Sequence, residues 1–300
     1  MPSMDPHIMM LRHTRLTTLL IACVALAAPA SAKVIQEQRW IDARVTDASG
    51  GEVAQKIMVT IFHDDAASKP YPALVLNHGR ASEAKDRRAL GRAQYTIAST
   101  WFAERGFMVA VPTRIGYGVS SGPDVENNGS CNKKNYPPGY AASAAQTLTV
   151  LAYLRGWKEV AKDRAVVVGQ SYGGATAVAI AAANTPGVQA TINFAGGGGG
   201  NPKTMPEQPC GQTKLKQLFA DYGKTARIPT LWIYAENDRY FGPTLPKTWF
   251  DAFKAAGGRG EFKMYPRLGE DGHGMFVRAP EWWQPKVLEF LRANGYADIK

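Results

Sequence analysis

The stretch Val166-Val167-Val168-Gly169-Gln170-Ser171-Tyr172-Gly173-Gly174 is the most informative part of this 300-residue chain. An apolar, β-branched run meets a G-x-S-x-G turn, and a run of small residues over 175–183 follows at once. This order predicts a strand, a sharp turn and a helix. Both turn glycines are needed, because a side chain at Gly169 or Gly173 would collide with the neighbouring strand and helix.

The serine of such a turn is held in a strained conformation with its hydroxyl pushed clear of the sheet edge. The N-terminus of the following helix and the backbone N–H of Tyr172 would face any negative charge that forms beside Ser171. The stretch therefore predicts a nucleophilic serine.

Strands and helices alternate along most of the chain. Residues 39–47 and 53–62 alternate in polarity and predict an antiparallel hairpin. From residue 73 onward the alternation favours βαβ crossovers, and hence an α/β fold with a mainly parallel sheet and helices on both faces. Ligands of such sheets bind at the carboxyl ends of the strands. Further strands are predicted over 73–76, 107–111, 165–169, 188–194, 230–235 and 261–265, and helices over 95–104, 141–154, 172–183, 214–220, 245–256 and 285–293.

The first 32 residues are typical of an export signal. Arg12 and Arg15 precede an apolar run over 16–28, which ends in the A-x-A site Ala30-Ser31-Ala32. Cleavage after this site would leave residues 33–300 as a single α/β domain. We therefore expect a secreted or periplasmic protein.

Cys23 offers a second possible processing site. Leu20-Ile21-Ala22-Cys23 resembles a lipoprotein box, but the apolar run continues past Cys23 to a good A-x-A site. Soluble export is therefore favoured over a lipid anchor. The apolar run is too short for a comfortable membrane span, so no stable membrane insertion is expected.

Charge and cysteine content narrow the class of protein. The formal net charge is +10, but lysines and arginines are scattered and no nucleic-acid-binding motif occurs, so no nucleic-acid partner is expected.

Export leaves Cys131 and Cys210, both in loops rich in Pro, Gly and Asn. In an oxidising compartment we expect these two to form a disulfide.

A serine nucleophile needs a base, and the base needs a group that orients it. Residues 33–300 contain three histidines, His63, His78 and His273. His273 lies in a glycine-rich loop after the last predicted strand, from which it can reach across the strand ends to Ser171. We therefore predict His273 as the base.

The orienting carboxylate should also follow a strand. Asp238 comes directly after the strand over 230–235 and is the prediction, giving the chain order Ser171, Asp238, His273. Glu236 is the alternative, although its side chain would point differently. Asp271 is near His273 in sequence, but we expect it to face solvent.

Together these motifs resemble the α/β-hydrolase superfamily, and within it the dienelactone-hydrolase-like and secreted serine esterase branch. The resemblance covers about 73–293. It rests on the turn at 169–173, His78-Gly79, Asp238 and Gly272-His273-Gly274, and the loop over 114–120 also resembles one that recurs in the superfamily.

The resemblance implies acyl transfer from a small-molecule carboxylic ester through Ser171. It adds the backbone N–H of Arg80 to that of Tyr172 as an oxyanion hole, with His78 bracing the loop. It implies no metal or organic cofactor. One departure is that dienelactone hydrolases use a cysteine nucleophile, so a dienelactone substrate is not expected here.

Four predicted strand-end loops carry an arginine, namely Arg80, Arg114, Arg239 and Arg267. If all four open toward the site, they favour a small or acid-bearing ester, because arginine pairs with carboxylates in a bidentate manner. The alternative is that they are surface residues or partners of acids such as Asp124 and Glu270.

Two other regions bear on function. The long segment 112–140 is a candidate lid or specificity wall, and the five glycines Gly196–Gly200 predict flexible, closely approaching backbone. A peptidase or lipase on the same scaffold is the first alternative function. A non-catalytic binding module is the second.

Overall fold

The turn that carries Ser171 lies near the middle of an eight-stranded sheet. The computed structural model describes residue 1 and residues 33–299, so the predicted export signal, its A-x-A site and Cys23 lie outside the described residues. The strands are β1 (Val34–Thr46), β2 (Glu52–Asp64), β3 (Tyr71–Asn77), β4 (Met108–Thr113), β5 (Val160–Gln170), β6 (Val188–Phe194), β7 (Thr230–Ala235) and β8 (Gly260–Tyr265).

Eight helices connect and cover these strands in the described part of the chain. They are α1 (Ala84–Arg88), α2 (Thr96–Ala103), α3 (Tyr136–Arg155), α4 (Tyr172–Ala182), α5 (Gln212–Thr225), α6 (Thr244–Ala255), α7 (Met275–Arg278) and α8 (Pro280–Ala293). Among residues 33–299, none of them is long and apolar enough to cross a membrane.

The strand order is β1-β2-β4-β3-β5-β6-β7-β8. β1 and β2 form the predicted antiparallel hairpin, with Val34 opposite Asp64 at one end and Thr46 opposite Glu52 at the other. β2 also runs antiparallel to β4, and every later pairing is parallel. The predicted α/β-hydrolase fold, with its mainly parallel sheet and N-terminal hairpin, is confirmed.

Alternation along the central strands builds a core on each face of the sheet. In β3, Leu74 and Leu76 face the layer that contains α2 and α8. Ala73 and Val75 face the layer that contains α3 and α4. β3 and β4 are therefore buried along their whole length, as expected for strands covered on both faces.

Two helices begin several residues earlier than predicted, each at or next to a proline, while α5 runs five residues beyond its predicted end. α3 begins at Tyr136, five residues earlier than predicted, because the prolines that follow occupy its first turn, where no N–H is required. α8 begins at Pro280 and keeps Pro285 inside it, whereas the prediction began at Pro285. The polar residues 84–88, unassigned from sequence, form α1.

The long segment after β4 is packed rather than extended. Within it, 3₁₀ turns cover Gly118–Ser120 and Cys131–Lys133. The predicted disulfide between Cys131 and Cys210 is present, with the two cysteines 79 residues apart in sequence. It ties the loop before α3 to the loop before α5.

Replacing both cysteines with serine is expected to lower the free energy of unfolding by about 2–5 kcal/mol, because the bridge restricts the unfolded chain. Urea denaturation of the double variant against the oxidised wild type measures the loss. Wild type treated with a reductant should match the variant. Equal midpoints for all three proteins would contradict the prediction.

Candidate active site

Ser171 lies between the last residue of β5 and the first residue of α4. Its backbone has φ +57° and ψ −121°, a conformation that costs a non-glycine residue about 1–3 kcal/mol. Its N–H donates to the Phe194 carbonyl at 2.8 Å, which ties the turn to β6. The residue is only 7% exposed, and its hydroxyl makes no hydrogen bond to the described residues.

Close backbone packing explains the two turn glycines. A Cβ at Gly169 would lie 2.0 Å from the Gly173 carbonyl oxygen, and one at Gly173 would lie 2.4 Å from the Asn77 carbonyl oxygen. Real side chains do not approach so closely, so β3, β5 and α4 meet only because both residues lack a Cβ. The predicted collision is confirmed.

His273 lies on a 3₁₀ turn (Gly272–Gly274) after β8. Its Nδ1 lies 2.9 and 3.0 Å from the two carboxylate oxygens of Asp238. Asp238 is fully buried and also accepts the N–H of Tyr240 at 2.8 Å. The Tyr240 ring stacks on the imidazole at 3.9 Å between centroids. The carboxylate that meets His273 is therefore Asp238, while Glu236 is exposed.

The prediction that Asp271 faces solvent is wrong. Asp271 is half-buried, and its Oδ1 accepts the backbone N–H groups of His273 and Arg239, each at 3.0 Å. It thus caps the turn that carries His273. An aspartate directly before a Gly-His-Gly turn is a cue for such a cap.

The serine and the histidine belong to loops that touch each other. Gln170 Nε2 donates to the His273 carbonyl oxygen at 3.3 Å. Tyr240, stacked on the imidazole, also lines the cavity that contains Ser171. The three sequence-predicted residues thus lie at the carboxyl end of the sheet, after β5, β7 and β8.

Both ring nitrogens of His78, in the loop after β3, are engaged by backbone atoms. Its Nδ1 lies 2.7 Å from the Gly79 carbonyl oxygen, and its Nε2 lies 3.2 Å from the backbone nitrogen of Arg114. A proton on Nδ1 satisfies both contacts. Burial and the nearby Arg114 guanidinium hold the pKa of His78 well below its usual range. A neutral imidazole with both nitrogens engaged can brace the loop, but it cannot take up a proton.

The same contacts orient the peptide between Gly79 and Arg80. Its carbonyl faces His78 Nδ1 at 2.7 Å and Arg114 Nη2 at 3.4 Å, so its N–H points the opposite way in a trans peptide. A Cβ at Gly79 would lie 3.1 Å from Ser171 Cβ, which puts this loop beside the serine. Within the described chain, the backbone N–H groups of Arg80 and Tyr172 have no hydrogen-bond acceptor.

Ser171 opens into a cavity of about 460 Å³. Its charged residues are the cations Arg80, Arg87 and Lys134 and the anions Glu83 and Asp124. Asp124 receives Arg80 Nη2 at 2.6 Å and Arg87 Nη2 at 3.0 Å. Lys134 Nζ donates to the Gly129 carbonyl at 2.7 Å.

The expectation that four arginines open toward the site is wrong for three of them, since Arg80 alone of the four lines this cavity. Arg114 is fully buried, pairs with the equally buried Glu126, and donates to the His78 carbonyl at 2.8 Å. Arg239 and Arg267 are exposed. A strand-end position brings a residue to the right edge of the sheet, but it does not determine where a long side chain points.

Arg87 and Lys134 line the cavity, but the sequence does not mark either as a site residue. Arg87 lies in the polar stretch 81–94, which has no periodicity to assign. Lys134 follows Cys131 in the loop that the disulfide draws toward the cavity, so the predicted disulfide was a usable signal.

The glycine run after β6 forms a packed wall. A Cβ at Gly197 would lie 2.8 Å from the Phe241 ring, and one at Gly198 would lie 2.8 Å from the Tyr140 hydroxyl. Gly200 has the same relation to the Tyr240 ring, also at 2.8 Å. The close backbone approach expected from the sequence is confirmed, and the glycines make room for aromatic side chains.

Comparison with known proteins gives the family. Residues 89–296 match the family model described as the dienelactone hydrolase family. This chain belongs to the dienelactone hydrolase family. Members are hydrolases, so the chain is an enzyme of the hydrolase class. No curated protein matches it by sequence.

Solved structures similar to this family member share its fold at low identity. An acetyl xylan esterase from Paenibacillus sp. R4 is 16% identical, covering 87% of this chain and 89% of its own, with a TM-score of 0.58. An acylaminoacyl peptidase from Pyrococcus horikoshii is 15% identical over 88% of this chain and 42% of its own, with a TM-score of 0.61. A dienelactone hydrolase-like promiscuous phosphotriesterase from metagenomic libraries is 16% identical, covering 84% of this chain and 97% of its own, with a TM-score of 0.54.

The buried polar contacts of the loop after β3 give a stability prediction. Arg114→Leu leaves the Glu126 carboxylate buried without its cation, which should cost about 3–5 kcal/mol in the free energy of unfolding. Urea denaturation measures the loss, and Arg267→Leu is the exposed control. Adding Glu126→Leu should recover much of it, since the pair is then replaced by apolar groups. An Arg114→Leu variant as stable as wild type would contradict the buried pair.

Proposed function

We propose that this member of the dienelactone hydrolase family is an exported serine hydrolase that cleaves small carboxylic esters through an acyl-enzyme on Ser171. One observation carries the proposal. The imidazole of His273 is held by Asp238 through Nδ1, on a loop that touches the turn carrying a Ser171 hydroxyl with no partner among the described residues.

In the first step, Ser171 Oγ forms a bond to the ester carbonyl carbon while His273 Nε2 takes its proton. The imidazolium then gives this proton to the departing alcohol oxygen as the ester C–O bond breaks. In the second step, water adds to the carbonyl carbon of the acyl-enzyme while His273 accepts its proton. The imidazolium then gives this proton to Ser171 Oγ as the bond between Oγ and the acyl carbon breaks. The products are the acid and free Ser171. Asp238 keeps the proton on Nδ1, so that Nε2 is the basic nitrogen, and stabilises the imidazolium.

Negative charge on the carbonyl oxygen would be bound by the backbone N–H groups of Arg80 and Tyr172. Both are free of other acceptors in the described chain, and the peptide that carries the first is fixed by His78 and Arg114. Donors held in place before reaction cost no reorganisation as charge develops. No step calls for a metal or organic cofactor.

An acid-bearing ester suits the cavity better than a long apolar one. Arg80 and Arg87 share one carboxylate, Asp124, whereas Lys134 Nζ donates, among the described residues, only to the Gly129 carbonyl. Burial and the Arg80 charge lower the pKa of Lys134, so a substrate carboxylate there would relieve an unfavourable environment. The residues that support this preference are thus Arg80, Arg87 and Lys134.

Export remains part of the proposal. The signal pattern over 1–32 supports it, and so does the Cys131–Cys210 disulfide, since such bridges persist in oxidising compartments.

Hydrolysis of p-nitrophenyl acetate, butyrate and octanoate by residues 33–300 tests the proposed chemistry. Ser171→Ala should lower kcat by at least about a thousandfold, because the nucleophile is lost. Ser68→Ala, at an exposed serine that does not line the cavity, is the control. A folded wild type no faster than Ser171→Ala would contradict ester hydrolysis, and turnover of acylated amides instead would favour a peptidase.

The acid preference has its own test. For two p-nitrophenyl esters of equal size, one ending in a carboxylate and one neutral, kcat/KM should favour the first. Lys134→Met should reduce that preference about fivefold, since one partly exposed charge contact contributes about 1 kcal/mol. The neighbouring exposed Lys133→Met should leave it unchanged. Equal kcat/KM for both esters in wild type would contradict the preference.

A further inference from the structure

The side chain of Gln170 contacts the loop that carries His273, the loop after β3, and Tyr95 at the start of α2. Gln170 is the residue before Ser171 and is half-buried. Its Nε2 lies 3.3 Å from the His273 carbonyl oxygen, and its Oε1 lies 3.3 Å from the Tyr95 hydroxyl. The same Oε1 lies against the loop after β3, where a Cβ added at Gly79 would meet it at 2.8 Å.

The surrounding groups determine which way this amide points. The His273 carbonyl can only accept, so the NH₂ end of Gln170 must face it. The carbonyl end then faces Tyr95, whose hydroxyl must donate. Burial raises the pKa of Tyr95 to about 12, so the phenol keeps its proton at neutral pH. The hydrogen bonds therefore have one direction: Tyr95 donates to Gln170, and Gln170 donates to the His273 carbonyl.

Tyr95 is itself fixed from two sides. Its backbone is left-handed, with φ +47°, and its ring packs on Phe276 at 5.3 Å between centroids. Phe276 is three residues after His273 and packs on Phe194 of β6 at 4.4 Å. The amide of Gln170 thus connects His273 to a rigid aromatic support.

The imidazole needs such a connection. Asp238 and Tyr240 hold the ring of His273, and Asp271 holds its N–H, but all three belong to the β7 and β8 loops. None of these contacts relates His273 to the turn that carries Ser171. Gln170 makes that connection, because it is the residue before the serine.

We propose that Gln170 is a positioning residue, which ties the His273 carbonyl to the nucleophile turn through an amide oriented by Tyr95 and so keeps the imidazole in register with the Ser171 hydroxyl. The proposal rests on the serine hydrolase function proposed above. It assigns a role to the variable residue of the G-x-S-x-G pattern, which the pattern itself leaves open.

The test compares Gln170→Leu, which keeps the volume and loses both hydrogen bonds, with Gln170→Glu, which can still accept from Tyr95 but cannot donate to the His273 carbonyl. Both should lower kcat for p-nitrophenyl butyrate by about tenfold with KM changed less than twofold, as expected when a contact positions the base. Gln189→Leu, at a half-buried glutamine of β6, is the control and should keep the wild-type kcat. Tyr95→Phe should also lower kcat, but by less. In the double variant with Gln170→Leu it should lower kcat little further, because both residues act through the same series of hydrogen bonds.

A second readout does not depend on turnover. The His273 Nδ1 proton shared with Asp238 should give a downfield proton NMR signal, absent in His273→Ala. We expect the signal to be sharp in wild type and broadened by faster exchange in Gln170→Leu and Gln170→Glu. An unchanged signal and an unchanged kcat in folded Gln170 variants would overturn the positioning role. An inactive wild type would instead contradict the proposed hydrolase function, and the NMR comparison would still decide the role of Gln170.

Discussion

The close meeting of three backbones at the turn that carries Ser171 is the constraint on which the rest of the structure depends. Gly173 of α4 lies against the end of β3, and Gly169 of β5 lies against Gly173, with no room for a Cβ at either position. This contact forces Ser171 into its positive-φ conformation. The free energy for that strain comes from the apolar faces of β3 and β5, which are buried on both sides of the sheet.

A second, polar frame prepares the other side of the site. The buried Arg114–Glu126 pair holds the carbonyls of the loop after β3. A neutral His78 completes the frame. Charges buried this deeply are costly unless they are paired and hydrogen-bonded, so the frame has few alternative arrangements. Its rigidity suits a loop whose role would be to present one N–H to a developing oxyanion.

Much of this architecture was predictable from local sequence. The turn around Ser171, the strand before Asp238 and the Gly-His-Gly loop are local patterns, and parallel strands bring their carboxyl ends to one edge. The arginines were a different case. Arg114 and Arg267 have similar positions after strands, yet one is fully buried and the other exposed. Their environment depends on a partner such as Glu126, whose proximity comes from tertiary packing. Lys134 likewise reaches the cavity in a loop held by a long-range disulfide.

The most direct test of the central claim is covalent labelling of the folded protein with a fluorophosphonate, followed by intact-mass measurement and peptide mapping. If the proposed nucleophile is correct, folded wild type should gain one adduct, mapped to Ser171, and His273→Ala should be labelled far more slowly. Absence of an adduct on folded wild type, or an adduct on another residue, would contradict the account of Ser171 as an activated nucleophile.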